Sequence, residues 1–270
     1  MFTRLSYKDF FRSSQQLLAI EPRLPQENYP EHTHDFNELV LVTKGSGRHI
    51  LNGYPHELHQ GMVLYINADD HHLYENVDNL HLTNILLKPK NDFKFIHNVD
   101  AILQDLAPNQ SQYKMVKQQV LSNINQQIAL LQQDPLNALQ QESSFLQILN
   151  LVQQNQYCVN VNQDSRGGRD ENLYQLLRYL SFNFKQEINW QQLSQDFQLP
   201  LRSLQRMVKE KLGITPQQYV NKLRLSYAYY QLKFSEKAII DIALESGYSD
   251  SSYFASCFKH EFGFCPRELR

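Results

Sequence analysis

Residues 38–43 (ELVLVT), 61–66 (GMVLYI) and 80–87 (LHLTNILL) are short, apolar, β-branched runs separated by Gly, Asn-Gly and Asp punctuation. Runs of this length between turn residues predict strands of a small β-barrel or sandwich, with a return at Lys44-Gly45-Ser46-Gly47 and a turn at Asn52-Gly53. From residue 112 the period changes. Val116, Val120, Ile124, Ile128 and Leu131 recur at spacings of three and four, which predicts an amphipathic helix that Pro135 ends. A second helix carries Phe145, Leu146, Ile148, Leu149 and Val152. The pair packs either on the barrel or against another copy of the chain. Residues 158–171 (CVNVNQDSRGGRDE) have no apolar period and contain Gly167-Gly168, a linker signature. From Asn172 the pattern is helical to the end. The expected organisation is α+β: a β-rich domain with packing or dimer helices over 1–157, a linker over 158–171, and an all-α domain over 172–270.

The helical part repeats itself. Gly213-Ile-Thr-Pro216 returns as Gly263-Phe-Cys-Pro266, and the same shift of 50 pairs Leu204 with Phe254, Val208 with Phe258 and Lys209 with Lys259. Each unit reads as helix, short turn, helix and a Gly-x-x-Pro stop, the glycine suiting a left-handed C-terminal cap. The first unit is predicted as a helix over 190–197, a turn at Leu199-Pro200 and a helix over 201–212. The second is predicted as 238–245, a turn at 246–249 and 250–262, with a long helix over 216–233 between the units. This is the anatomy of the DNA-binding helix-turn-helix, twice. With Leu201, Leu204, Val208 and Leu212 facing inward, Arg202, Ser203, Arg206 and Lys209 face outward. Arg202 and Arg206 are four apart and share a face, and arginine is shaped for bidentate reading of guanine in double-stranded DNA. The shift of 50 puts Ser252 and Ser256 where Arg202 and Arg206 stand, with Asp250 and Ser251 at the helix start. These shorter groups should specify less strongly.

Charge supports the division. The whole chain of 270 residues carries −2, but residues 170–270 hold 13 basic and 11 acidic side chains, net +2, against −4 for the remainder. Hydrophobic residues make up 41% of the chain, enough for real cores. No apolar run approaches the ~18 residues of a membrane span, and the N-terminal stretch lacks a signal-peptide core. Three cysteines without paired spacing fit a reducing cytoplasm better than a disulfide framework. Glutamine crowds residues 118–154 and reads as the solvated side of helices.

On Leu193, Leu204, Arg206, Lys209, Gly213, Pro216, Tyr219, Arg224, Ala228, Leu232, Ile242-Ala243, Gly247-Tyr248, Phe254, Phe258-Lys259, Gly263 and Pro266, residues 172–270 resemble the AraC/XylS family of transcription regulators. The resemblance implies two helix-turn-helix units joined by a long helix. It also implies that Asp241, on the first helix of the second unit beside Ile240 and Ile242 (both expected in the core), touches the sigma subunit of RNA polymerase.

In the front half, His32-Thr-His34-Asp-Phe-Asn-Glu38 followed by Gly45 has the spacing of the first cupin motif. Residues two apart on a strand point to the same side, so His32, His34 and Glu38 can converge inside a barrel, with Arg48 and His72 as further candidates. Three readings stay open: polar residues at a barrel entrance, a divalent-metal site of a cupin enzyme, or hydrogen-bonding partners for the hydroxyls of an effector. The strings Glu21-Pro-Arg-Leu-Pro-Gln26, Pro30-Glu-His32, His34-Asp-Phe36, His72-Leu-Tyr-Glu75 and Asp78-Asn-Leu80 extend the resemblance to the rhamnose-operon activators within that family, and His32-Thr-His34-Asp-Phe36 is shared with their sister regulator. That resemblance implies an activator that works as a homodimer with L-rhamnose as effector; the paired recognition helices argue against an enzyme, and no cofactor is expected.

Overall fold

The structure is a computed structural model describing residues 3–89, 93–104, 106, 114–154 and 168–269. The linker expected over 158–171 lies outside the described residues as far as 167. The chain forms two compact units, one of residues 1–47 and 58–158, the other of residues 48–57 and 159–270.

The first unit is built on strands β1 (Thr3–Leu5), β2 (Leu18–Arg23), β3 (Tyr29–His34), β4 (Asn37–Leu51), β5 (Tyr54–His59), β6 (Met62–Ile66) and β7 (His72–Leu87), apart from the β4–β5 hairpin of residues 48–57, which belongs to the second unit. Helix α1 (Val99–Gln104), a short β8 (Lys114–Met115), α2 (Gln118–Gln133) and α3 (Ala138–Gln154) follow. The strands make one sheet in the order β1-β3-β7-β4-β6-β8, with β2 added on β7 and β5 on β4. Strand alternation decides which residues meet the helices. Leu39, Leu41, Val63, Tyr65, Ile85 and Leu87 share one core with Val120, Ile124, Ile128, Leu131, Phe145, Ile148, Leu149 and Val152. The helix pair therefore packs on the sheet. Leu146 is not part of that core and is 45% exposed. Nor are all the glutamines solvated: Gln141 is buried, and its Nε2 donates to the Leu131 carbonyl at 3.0 Å.

The expected return at Gly45–Gly47 does not occur. β4 runs through it as a single strand of 15 residues. The glycines instead let β7 come close: Gly45 has φ +76°, and a Cβ there would lie 2.0 Å from the Asn79 carbonyl oxygen. The reversal comes at Asn52-Gly53, where φ values of +50° and +81° suit a tight hairpin turn.

In the second unit, α4 (Arg169–Asn183) precedes α5 (Trp190–Asp196) and α6 (Leu201–Leu212), the first helix-turn-helix. The long α7 (Pro216–Phe234) leads to the second, α8 (Ile239–Glu245) and α9 (Ser251–Phe262). Both predicted stops form: Gly213 and Gly263 end α6 and α9 in the left-handed conformation, each N–H bonding back into the last turn. Asn189 caps α5, Thr215 and Gln218 form a capping box on α7, and Asp250 caps α9. The hairpin of residues 48–57 belongs to this unit.

Candidate binding pocket and nucleic-acid interface

In the first unit, β3 and β7 run antiparallel with His32 opposite His72, and their rings lie 4.1 Å apart. His34 is two residues further on β3, and its ring stacks on Phe36 at 4.5 Å. Glu38 enters from the start of β4. All four are buried. One donor atom from each of His34, Glu38 and His72 lies within 4.8 Å of the others.

Burial sets the protonation here. Desolvation lowers His32 below the usual imidazole range, takes His34 down to about 4, and pushes Glu38 up to about 7 against the pull of Arg23. His34 is therefore neutral at physiological pH. Its Nδ1 lies 2.5 Å from the Phe36 carbonyl oxygen, which can only accept, so the ring proton sits on Nδ1. Nε2 is left as an acceptor, buried and without a hydrogen-bond partner. Asn84 Oδ1 is a second such acceptor. A group of buried acceptors and a protonatable carboxyl suits hydroxyl donors. Two imidazoles and a carboxylate are also a donor set for a divalent cation.

His32, Glu38 and His72 line a cavity of about 40 Å³ together with Glu21, Arg23, Gln26, Tyr29, Tyr74 and Asn84, and Leu5 and Phe10 complete its wall. Small-molecule sites start at roughly 300 Å³, so admitting a ligand requires its walls to move. Sequence reasoning found His72 on β7 but missed Glu21 and Arg23 on β2 and Tyr74 and Asn84 further along β7. Glu21 and Arg23 alternate on one strand, and Glu21 stands opposite Asn84 in the register. Arg48 is not in this pocket. It lies in the second unit, bonded to Glu57 and Glu261. Even spacing along β4 could not anticipate those partners, one of them far along the chain.

On α6, Leu204, Met207, Val208 and Leu212 are buried, whereas Arg202, Gln205, Arg206 and Lys209 are exposed along one face. Ser203 is half-buried on the flank of that face. An exposed ion pair at 3.8 Å links Arg206 to Glu210. A groove of about 730 Å³ runs beside this helix, between Trp190 on α5 and Gln217 on α7. Gln205 is the residue sequence reading passed over. Its spacing of three from Arg202 was the available signal. On α9, Ser252 and Ser256 are exposed and Ser251 is half-buried. Asp250 accepts from the Tyr253 N–H at 2.5 Å, so its carboxylate is engaged as a helix cap. Tyr253, 58% exposed, stands on the same surface. Asp241 is exposed on α8, but its neighbour Ile240 is not in the core: it is 55% exposed, as is Leu244 at 56%. One turn of α8 thus presents a carboxylate between two apolar side chains.

Two family models match the chain, the AraC-like ligand binding domain over residues 14–149 and a helix-turn-helix domain over 193–270. The chain belongs to the AraC family. Within it, the chain is 48% identical over 271 residues to the HTH-type transcriptional activator RhaS of Mannheimia succiniciproducens, covering all of both chains. It is 39% identical to RhaS of Shigella sonnei, over 99% of this chain and 97% of that one. Among solved structures, the C-terminal domain of AraT, a response regulator from Geobacillus stearothermophilus, matches 38% of this chain and 87% of its own at 26% identity and a TM-score of 0.36. The AraC-family assignment accounts for both units: a ligand-binding sheet domain and a helical domain that binds DNA. No helix among the described residues is long and apolar enough to cross a membrane.

Proposed function

We propose that this AraC-family protein is a cytoplasmic, non-enzymatic activator of sugar-catabolism genes that answers to L-rhamnose and acts as a homodimer on double-stranded DNA. The observation that carries the effector reading is the polar cavity lined by His32, Glu38 and His72, with the neutral His34 beside them in the same buried cluster and holding an unpaired acceptor. A deoxyhexose supplies hydroxyl donors to such acceptors. The RhaS relatives point to the same sugar by the resemblance drawn from the sequence. Arg202 and Arg206 read base edges, while Ser203, Lys209, Asp250, Ser251, Ser252 and Ser256 complete the DNA surface. Asp241, flanked by exposed Ile240 and Leu244, is the contact to the polymerase sigma subunit.

The donor distances of the His34–Glu38–His72 group favour one competing reading, a divalent cation. Calorimetric titration of the full chain with L-rhamnose, other deoxy sugars and divalent metals separates the two. Heat with L-rhamnose, abolished in His34→Ala, supports the effector reading. A stoichiometric metal, no heat with any sugar, and loss of the metal in the same variant would replace it.

A further inference from the structure

The second unit contains four charged groups that DNA reading does not use. Arg48 and Glu57 stand at the two ends of the hairpin of residues 48–57, Lys222 on α7 and Glu261 on α9. Arg48 is 1% exposed. Its Nε donates to Glu57 Oε1 at 2.8 Å and its Nη2 donates to Glu261 Oε1. Lys222 Nζ donates to the same Glu261 oxygen at 2.9 Å and lies 3.6 Å from Glu57 Oε2. The guanidinium also rests 4.9 Å from the centre of the Phe262 ring. Burial works to raise Glu261, but Lys222 and Arg48 together hold it below the usual carboxylate range. Two cations and two carboxylates balance, and each carboxylate touches both cations. At the hairpin's far end the contact is apolar. Tyr54 packs on Tyr230 at 4.8 Å, and the Phe234 ring lies where a Cβ on Gly53 would be only 2.4 Å away.

An ion quartet built around one fully buried cation is a poor way to gain stability, because desolvating Arg48 offsets much of the attraction. It differs from an apolar contact in tolerating only one geometry. A small shift of the hairpin separates Arg48 from Glu261 and Glu57 from Lys222 together. β4 is one unbroken strand from Asn37 to Leu51, so the segment that carries Glu38 also carries Arg48. Its other anchor, Glu261, sits on the helix that bears Ser252 and Ser256. We propose that the Arg48–Glu57–Lys222–Glu261 quartet is a releasable latch through which movement of β4 at the binding pocket alters the setting of α9 on DNA. The latch rests on the effector reading only for the identity of what moves the pocket wall.

Two measurements on the full chain test it, using an operator duplex selected from a random pool. The first follows hydrogen exchange of the hairpin amides without sugar. Coupling is reciprocal, so binding the duplex changes hairpin exchange by at least about tenfold in the wild type and by less than about twofold in Glu261→Gln and in Lys222→Met. The second measures duplex affinity with and without L-rhamnose. The sugar shifts the wild type by at least about tenfold and both variants by less than about twofold. Glu261→Gln keeps the side-chain shape, and Lys222→Met tests the latch where that variant fails to fold. Hairpin exchange indifferent to DNA in the wild type, or variants with the full sugar response, overturns the latch. DNA-dependent hairpin exchange alongside a wild type indifferent to L-rhamnose leaves the latch standing and sinks the sugar reading.

Discussion

Glu38 and His34 belong to one buried cluster but respond to pH in opposite directions. Burial holds the Glu38 carboxyl near 7, so the folded chain keeps a proton that the unfolded chain loses around 4.5, and stability falls as pH climbs through that window. His34 is held near 4 in the fold against 6.5 unfolded, so its share of stability is lost as pH falls from 6.5 towards 4. Where the windows overlap, the two slopes offset each other. Glu38→Gln removes only the first. The variant should gain on the wild type as pH rises from about 5 to about 7, by roughly 2 kcal/mol, read from urea midpoints at the two values. A variant–wild-type difference that does not change between the two pH values would mean that Glu38 is ionised in the fold. At the DNA surface, Arg202→Ala and Arg206→Ala should each cost about 1–3 kcal/mol on specific duplex and relax specificity at one base pair. Binding assays across single-base variants check this; uniform weakening would make them phosphate contacts. The exposed face of Arg202 and Arg206 was legible because charge at helical spacing stands out. Gln205 was not, since an uncharged glutamine in a glutamine-rich chain looks like helix filler. Arg48 was misplaced because strand parity predicts a side, not a partner.

Elements built on local rules came through the sequence almost intact. α6 spans the expected residues, and α5 and α9 differ from expectation by one residue at one end each, because apolar spacing, caps and Gly-x-x-Pro stops are all written within a few residues of each other. β4 and β7 were the failures. Lys44-Gly45-Ser46-Gly47 has the composition of a turn, yet the need for glycine at residue 45 is set by the backbone of Asn79, a non-local neighbour. α3 shows the same dependence at its buried Glu142, whose carboxylate accepts the backbone N–H groups of Lys94, Phe95 and Ile96 at 2.6, 2.6 and 2.7 Å. Periodicity gives no reason for a carboxylate on the buried side of that helix. These bonds fasten an irregular segment to α3. Glu142→Ala strands three donors at once and should cost about 3 kcal/mol, with Glu142→Gln recovering part of it. Thermal unfolding together with exchange at residues 94–96 measures both effects. Fast exchange there with unchanged global stability would restrict the role of Glu142 to that segment.

Over the whole molecule, a net charge of −2 conceals an uneven distribution that bears directly on DNA binding. Residues 170–270 carry net +2, and the exposed face of α6 gathers Arg202, Arg206 and Lys209 where the fifty-residue repeat puts Lys259 on exposed α9. Affinity for a polyanion depends on how many phosphates these cations neutralise rather than on the total charge of the chain. With about four such contacts, binding should weaken about a hundredfold between roughly 50 and 200 mM salt. Each cation can then be assigned by how it changes that slope. Lys209 lies in the last turn of α6, away from the helix start that the proposed reading places in a groove, and should rest on phosphate. Lys209→Gln should flatten the slope by about one and weaken every sequence alike, whereas Arg202→Ala should change sequence preference as well. Equilibrium binding at four salt concentrations, on a specific and a scrambled duplex, distinguishes the two behaviours. A Lys209→Gln slope equal to that of the wild type would take this residue off the DNA and leave the first unit's reading to Arg202, Gln205 and Arg206.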